Sequence, residues 1–254
     1  MTHASSAEAP PHSRHPRAGH PHRRRSRGLR VLTTLLLAYG ALAYLLIPEL
    51  WHVSEDRHAG LKNEPELTHT ASGIPADPVN VALIGTHDEV VGTLLAAGWH
   101  PADPITLRSS VDIAADTVFR REYLDAPVSS LYLFGRREDL AFEEPEGRSP
   151  QRRHHVRFWK SAETGEQGRP VWLGAATFDR GVGFSHTTGQ ITHHIAAQID
   201  AERDRLAASL ERTGRVQSSD TLPGFHTIRH GRNGGGDPWV TDGALRVLVL
   251  RHSP

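Results

Sequence analysis

The sequence predicts an α+β fold in which a mixed, largely antiparallel sheet packs against a few helices. Short runs of β-branched and aromatic residues bounded by Gly, Pro and polar residues are typical of strands, and fewer segments carry apolar residues at helical spacing. These segments do not alternate strictly, as they would in a parallel sheet. A basic polar stretch and a long uncharged run come first. A disordered N-terminal tail and a single transmembrane helix are therefore predicted ahead of the body.

Residues 1–30 form a basic tail with almost no apolar side chains. They hold seven arginines and one acidic residue, whereas residues 31–254 hold 22 basic and 28 acidic residues. Such a tail cannot bury enough apolar surface to offset its ordering entropy, so we predict that it is disordered. Five of the 18 histidines lie in it, and a solvated cationic tail is favoured over a weak metal-binding one. The acidic body argues against nucleic-acid partners.

Residues 31–47 contain no charged side chain, and the apolar stretch is extended by Leu29, Leu50 and Trp51. As a helix, this run spans about 26 Å, the short end of a membrane crossing. We therefore predict a transmembrane anchor over 31–50, followed by a linker over 51–76 and a globular domain over 77–254. The chain has no cysteine, which excludes disulfides, cysteine-ligated zinc and cysteine nucleophiles.

Charge on the two sides of the uncharged run predicts its orientation. Arginines precede it, and Glu49, Glu55 and Asp56 follow it. By the positive-inside rule the N-terminus is cytoplasmic and the body extracytoplasmic, as in a single-pass protein of the cell membrane. A cleaved signal peptide is the alternative, because residues 41–43 resemble a cleavage triplet. That triplet lies within the run rather than after it, so an uncleaved anchor is favoured.

The first half of the body combines strand and helix signals. Residues 78–84 are rich in β-branched side chains, which predicts a strand. Thr86 and Glu89 match a capping box at the start of a helix over 86–98. Three further elements are predicted in this half: a helix over 109–123 and strands over 128–134 and 140–143.

In the second half, residues 153–160 alternate as a strand that places His154, Val156 and Phe158 on one face and His155, Arg157 and Trp159 on the other. Further strands are predicted over 170–178, 225–228 and 245–250. A glycine-rich turn is expected at 181–183, and a helix is expected to begin at the cap residue Asp200 and end near 212. The segment 231–237 is too rich in glycine for regular structure and is interpreted as a mobile surface loop.

Several motifs in one order carry a resemblance to a known family. They are Ser130–Arg136 (SLYLFGR), 139–142 (DLAF), 153–159 (RHHVRFW), 174–179 (GAATFD), 192–195 (THHI), 200–204 (DAERD), 231–237 (GRNGGGD) and 241–243 (TDG). From residue 77 to about 250 the chain resembles the LssY C-terminal domain family. In that family the domain is often fused to DedA-like membrane segments and lipid-phosphatase-type domains. The resemblance therefore implies a membrane protein of one of these types as a partner. It does not imply a particular reaction.

Ionisable residues gather between 175 and 210, which points to a candidate site. The candidates for catalysis are His193, His194, Asp179, Asp200 and Arg203. The candidates for ligand binding are His155, Arg157, Arg180, Asn233, Asp237 and Asp242. A divalent metal is the one cofactor considered, with ligands from His154 or His155, from His193 or His194, and from Asp179 and Asp200.

Three interpretations of these residues remain open. One is a metal site, although no HExxH spacing is present. Another is a metal-free site in which a histidine is the general acid or base and an arginine holds a phosphate or carboxylate, with Thr177 and Ser185 as nearby hydroxyls. The third is a structural network of buried polar groups, in which Arg203 pairs with Asp179.

Two functions follow from the anchor and the site, and the sequence leaves open whether the protein is an enzyme. The first is a membrane-anchored extracytoplasmic domain that binds an envelope ligand or assists a neighbouring protein. The alternative is a hydrolase that acts on phosphoesters such as lipid phosphates. A scaffold for a separately encoded membrane protein is a third interpretation that rests on the family's fusions alone.

Overall fold

The computed structural model describes residues 22–47, 58–102, 130–147 and 152–252, apart from 188 and 190. The chain divides into two compact units, residues 1–53 and residues 54–254, each described by itself. The predicted helix over 109–123, the start of the predicted strand over 128–134 and most of the predicted tail lie outside the described residues.

The N-terminal unit contains helix α1 (His22–Ala41), which continues as a π-helical turn over Leu42–Leu46. Within the described part of the chain, the stretch Gly28–Leu46 is the one helix long and apolar enough to cross a membrane. The hydroxyls of Thr33 and Thr34 donate to carbonyls one turn back, both at 2.9 Å, so these polar groups are satisfied inside the helix. Length and composition of this kind are shared by membrane anchors and signal sequences.

The second unit contains two α-helices and fourteen strands among its described residues. The helices are α2 (His87–Ala96) and α3 (Ile199–Glu211). The strands are β1 (Leu67–His69), β2 (Pro75–Pro78), β3 (Val81–Ile84), β4 (His100–Pro101), β5 (Tyr132–Leu133), β6 (Arg136–Arg137), β7 (Leu140–Pro145), β8 (Arg153–Thr164), β9 (Pro170–Phe184), β10 (Ile191–Ile195), β11 (Val216–Leu222), β12 (His230–Arg232), β13 (Pro238–Val240) and β14 (Leu245–Leu250).

Eight of these strands form the main sheet, in the order β11-β14-β3-β9-β8-β7-β4, with β10 paired to the far end of β9. The pair β14–β3 is parallel and the other pairs in the sheet are antiparallel. A four-stranded sheet, β2-β1-β5-β6, and the hairpin β12–β13 complete the described strands. The prediction of an α+β fold with a largely antiparallel sheet is confirmed.

Helix α2 begins as its sequence predicts. The Glu89 amide donates to Thr86 Oγ1 (3.3 Å), and the Thr86 amide donates to Glu89 Oε2 (2.7 Å), which completes the capping box. Gly98 follows the helix with φ +90°, a conformation that a side chain would strain. Helix α3 begins differently from the prediction: its N-cap is Gln198, and Asp200 lies in the first turn.

The two faces of the main sheet bury separate apolar clusters. One cluster includes Val156 and Phe158 of β8, with apolar side chains of α2 and α3. The other includes Trp159 of β8 with Leu173 of β9. This confirms the alternation predicted for residues 153–160, because each face of a strand carries every second side chain. The strand extends further than predicted, to Thr164.

Two predicted strands differ from the structure. Residues 225–228 form a loop in which Phe225 is buried and the His226 amide donates to the Gly243 carbonyl (3.0 Å). The predicted strand over 128–134 is represented by the short strand β5, because Phe134 (φ 54°) and Gly135 (φ 73°) turn the chain into β6. Strand β11 was not predicted, since its sequence VQSSDTL is mostly polar and pairs at the sheet edge.

The glycine-rich segments are more regular than predicted. Strand β9 continues through Gly181 and Gly183 to pair with β10, where a turn was expected. The segment 231–237, interpreted as a mobile surface loop, instead ends β12 and turns into β13, with Asn233 and Asp237 buried. A backbone hydrogen bond from Asn233 to Asp237 (2.9 Å) closes that turn.

Candidate functional site

A cavity of about 420 Å³ lies where β8, β9 and β10 meet the β1–β2 turn and the turn between β12 and β13. The register of the sheet explains its charged wall. Arg153, His155 and Arg157 alternate along β8 and share one face, and Arg153 is opposite Asp179 of β9. His155, Arg157 and Asp179 line the cavity directly. The lining also includes residues that carry hydroxyl groups: Thr70, Ser72, Ser130, Tyr132, Ser185 and Thr192.

One group of contacts joins β8 to β2. Arg157 Nη1 lies 3.5 Å from Asp77 Oδ2 and 3.4 Å from His155 Nδ1. Asn233 Nδ2 approaches the other carboxylate oxygen of Asp77 at 3.4 Å. All four side chains belong to buried residues. Because the arginine donates to Nδ1, the neutral ring of His155 carries its proton on Nε2.

His155 lines the cavity, and its buried Nε2 atom has no hydrogen-bond partner in the described part of the chain. His155 is 1% exposed. Burial, the nearby Arg157 and then Arg153 hold the pKa of His155 well below its usual range, so the ring is neutral. A neutral ring with Nε2–H therefore carries a buried donor that has no acceptor among the described residues.

A second group of contacts joins β7, β8, β9 and β10 around Arg153. Its Nη1 donates to Glu143 Oε2 (2.9 Å) and its Nε donates to Asp179 Oδ2 (3.2 Å). Nη2 lies 3.2 Å from His193 Nε2, and His193 Nδ1 lies 3.6 Å from Asp179 Oδ2. The guanidinium therefore compensates two buried carboxylates and orients the imidazole at the cavity.

Electrostatics at the cavity oppose ionisation of its buried groups. Burial raises the pKa of Asp77, and Asp179 and Asp237 act in the same direction, although Arg157 and Asn233 oppose them. Burial likewise lowers the pKa of Arg157. Among the described residues, the lining thus contains one poorly solvated guanidinium, of Arg157, and two poorly solvated carboxylates, of Asp77 and Asp179.

The glycine-rich turn covers the cavity because its glycines allow close approach. Asn233, Gly234 and Gly235 line the cavity. A Cβ on Gly234 would lie 2.5 Å from the Thr70 methyl. Gly236 has φ +89°, and a Cβ there would lie 2.7 Å from that of His186. These contacts explain Gly234 and Gly236, in a segment that the sequence alone suggested to be a loose surface loop.

A different cluster surrounds Arg203 and does not line the cavity. Its guanidinium binds Asp242 (2.8 and 3.0 Å), Asp204 (2.9 and 3.2 Å) and Asp200 (3.2 Å) and donates to the Ala244 carbonyl (3.1 Å). Asp200 also accepts from the Thr241 hydroxyl (2.7 Å). Arg203 therefore joins α3 to the segment before β14, and Asp179 is bound by Arg153 instead.

The two histidine pairs each divide between the cavity and another partner. His154 points to α3, where its Nδ1 lies 2.8 Å from Glu202 Oε2, so it is on the opposite face from His155. His194 Nδ1 lies 2.8 Å from Asp237 Oδ1. Of the metal-ligand set considered from the sequence, His155, His193 and Asp179 line the cavity together, whereas Asp200 belongs to the Arg203 cluster, so the full set is not brought together.

The structure brings five of the eleven predicted site residues to the cavity: His155, Arg157, Asp179, His193 and Asn233. Arg203, Asp200 and Asp242 form the separate cluster, Asp237 and His194 pair with each other, and Arg180 donates to the Ile195 carbonyl (2.9 Å). Sequence reasoning missed Asp77, Glu143 and Arg153. Arg153 had a signal in the alternation of Arg153, His155 and Arg157, whereas Asp77 had none.

The fold and the cavity define an α+β domain with a buried polar site, preceded along the chain by an apolar helix. The family model of the LssY C-terminus matches residues 61–245, so the chain belongs to that family. The resemblance found in the sequence motifs is thereby confirmed. No curated protein and no solved structure matches the chain.

Proposed function

We propose that the protein is a membrane-anchored, extracytoplasmic domain that binds a small, hydroxyl-rich envelope ligand in the cavity. The observation that carries this proposal is that His155 lines the cavity while its buried Nε2 atom lacks a hydrogen-bond partner in the described residues. An unsatisfied buried polar group costs about 1–3 kcal/mol, and a ligand oxygen would relieve that cost. The volume of about 420 Å³ falls in the range of about 300–1,000 Å³ for small-molecule sites.

The charges of the lining favour a neutral ligand over a strongly anionic one. Among the described residues, Asp77 and Asp179 line the cavity together with one guanidinium, that of Arg157. A phosphate group there would meet two carboxylates, whereas sugar hydroxyls can donate to the carboxylates and accept from His155 and Arg157. The hydroxyls of Tyr132 and Thr192 extend the same complementary surface.

The apolar helix and the charges beside it support the proposed location. A basic tail before the helix and acidic residues after it favour a cytoplasmic N-terminus. An uncleaved helix would hold the domain at the outer surface of the membrane, where envelope saccharides and lipid headgroups are found. A neighbouring membrane protein of lipid-phosphatase or DedA-like type is the partner that the family's fusions favour.

Adjacent histidines of β8 provide a matched test of the binding proposal. His155 faces the cavity and His154 faces Glu202 of α3, and both are buried. Full-length protein in mild detergent should bind one or more members of a panel of envelope saccharides in a calorimetric titration. The His155→Gln variant should lose this binding, and the His154→Gln variant should retain it. Equal binding by the two variants, or no binder in the panel, would count against the proposal.

A phosphoester hydrolase is the second candidate, favoured by the pair His193 and Asp179. His193 Nδ1 lies 3.6 Å from Asp179 Oδ2, the arrangement of a general base and its orienting carboxylate. Arg153 lies 3.2 Å from the other ring nitrogen, however, so the ring accepts there and is less suited to take a substrate proton. Turnover of a phosphomonoester that disappears in His193→Gln, with unchanged unfolding, would favour this candidate.

A further inference from the structure

Three distant segments place metal-ligating side chains together outside the cavity. His186 comes from the turn after β9, His194 from β10 and Asp237 from the position directly before β13. One ligand atom from each lies within 4.8 Å of the others. His186 and His194 also approach with ring centroids 5.3 Å apart. Separations of this size are within reach of one ion bound at about 2 Å by each ligand after small side-chain rotations.

The carboxylate of Asp237 is fixed by the fold. Its Oδ2 accepts from the Ile195 amide (3.1 Å), and its own amide donates to Asn233 Oδ1 (2.9 Å). Oδ1 then lies 2.8 Å from His194 Nδ1, and an ion bound by both atoms would take the place of the proton that this hydrogen bond shares, which is released to solvent. Asp237 is 2% exposed, so this oxygen is preorganised in a largely dry position. Hydrogen bonds of this kind orient the ligands of protein metal sites.

His186 supplies the accessible side of the cluster. Its amide donates to the Gly235 carbonyl (2.8 Å), so the turn after β9 is tied to the glycine-rich turn. Gly236 packs against the His186 side chain at a distance that excludes a Cβ. The exposed imidazole of His186 leaves a route from solvent to the cluster.

We propose that His186, His194 and Asp237 form a binding site for a divalent transition metal. Two imidazoles and one carboxylate suit Zn²⁺ and its neighbours, whereas Ca²⁺ and Mg²⁺ prefer oxygen ligands throughout. Three protein ligands leave a fourth position for water, as in open zinc sites. A bound ion would also fasten the turn that covers the cavity to the β9–β10 turn, independently of what the cavity binds.

The experiment must separate this site from the histidines of the tail. The starting protein is the full chain in mild detergent, purified without a histidine tag, with the five tail histidines replaced by Gln: His3, His12, His15, His20 and His22. Zn²⁺ is titrated by calorimetry, and Co²⁺ is titrated by visible absorption, which reports a four-coordinate site. His186→Ala is the test variant because this side chain is exposed. His230→Ala, which removes another exposed imidazole, is the matched control.

The expected result is one ion per chain, bound at least about 100-fold more weakly in His186→Ala, since even outer-shell changes cost 10–100-fold. Binding by His230→Ala should equal that of the starting protein, and His186→Cys should restore binding with a thiolate-to-cobalt absorption band. Failure of the starting protein to bind either ion would overturn the proposal. Equal affinities of the starting protein and His186→Ala would overturn it as well.

Discussion

Two clusters in this domain are built from arginine and aspartate, and they differ in where their carboxylates lie. The Arg203 side chain is 4% exposed, but its partners Asp200, Asp204 and Asp242 are 20%, 49% and 53% exposed. In the cavity cluster, Arg153 and Arg157 bind Asp179, Glu143 and Asp77, and each of these carboxylates is 8% exposed or less. The carboxylates of the Arg203 cluster are thus partly hydrated, and those of the cavity cluster are buried.

The pKa values of the carboxylates follow this difference. The hydrogen bond from Arg203 lowers the pKa of Asp242, because the charged form is stabilised while remaining partly hydrated. Burial raises the pKa of Asp77 despite the nearby Arg157. Arginine and aspartate therefore stabilise the fold in the Arg203 cluster, whereas in the cavity the burial of the aspartate lowers the stability of the fold. Such a cost is typical of functional sites rather than of structural ones.

The largest expected effect comes from removing the arginine of the structural cluster. Arg203→Met leaves three aspartates together without their cation and removes the link between α3 and the segment before β14. Loss of one partner of a buried pair costs about 3–5 kcal/mol, and the exposure of these carboxylates places the expected loss near 3 kcal/mol. Urea unfolding of the full chain in detergent, followed by tryptophan fluorescence, measures it.

Arg205 provides the control for this prediction. It lies two residues further along α3 and binds Glu144 at 2.9 Å, with the two side chains 36% and 30% exposed. Arg205→Met should change the free energy of unfolding by less than about 0.5 kcal/mol, as exposed ion pairs do. Equal losses in the two variants would show that burial of Arg203 has no special role.

Local sequence signals predicted the elements that local interactions determine. The capping box of Thr86 and Glu89 marks the start of α2. Alternation along β8 separates His154 from His155 and Val156 from Arg157. The polar strand β11 was missed because its stability comes from pairing with the apolar β14 rather than from its own side chains.

The division of the candidate residues into separate clusters was not predictable from their spacing. Asp179 and Arg203 lie close in sequence but belong to different clusters. Asp77 reaches Arg157 across 80 residues, a pairing that depends on the position of β2 beside β8 and β9. Glycine content likewise indicated a loose loop over 231–237, whereas close contacts with Thr70 and His186 are what require the glycines.

Acidification should destabilise the domain through two buried neutral histidines. Burial lowers the pKa of His155 and of His226 below the usual 6.5. In the unfolded chain both rings take up a proton as the pH falls through 6.5, whereas in the folded state they do so only at lower pH. Their stabilisation is therefore full above pH 6.5 and is lost as the pH falls from there towards the folded-state pKa values.

Each ring contributes a loss of at most about 1.4 kcal/mol per pH unit below pH 6.5. Asp77 and Glu64 oppose it, because their raised pKa values favour the folded state on protonation. Urea unfolding of wild type and His155→Gln across this range isolates one ring by difference. A pH dependence that is unchanged in His155→Gln would contradict a neutral, buried His155.

The smallest expected effect comes from replacing one aspartate in each cluster by asparagine. The two clusters should differ in whether the free energy of unfolding rises or falls. Protonated Asp77 resembles asparagine in shape and charge, and the raised pKa means that the neutral form is more favourable in the folded state than in the unfolded chain. Asp77→Asn should therefore raise the free energy of unfolding at pH 7, because the folded state no longer holds a charge at this buried position. Asp242→Asn, in the Arg203 cluster, should lower the free energy of unfolding by less than about 0.5 kcal/mol, because its carboxylate is half exposed.

Urea unfolding measures both changes. A rise for Asp77→Asn and a fall for Asp242→Asn would identify the cavity as the place where a buried charge lowers the stability of the fold. A loss of stability in both variants would make Asp77 another structural partner of arginine and would remove this argument for a site.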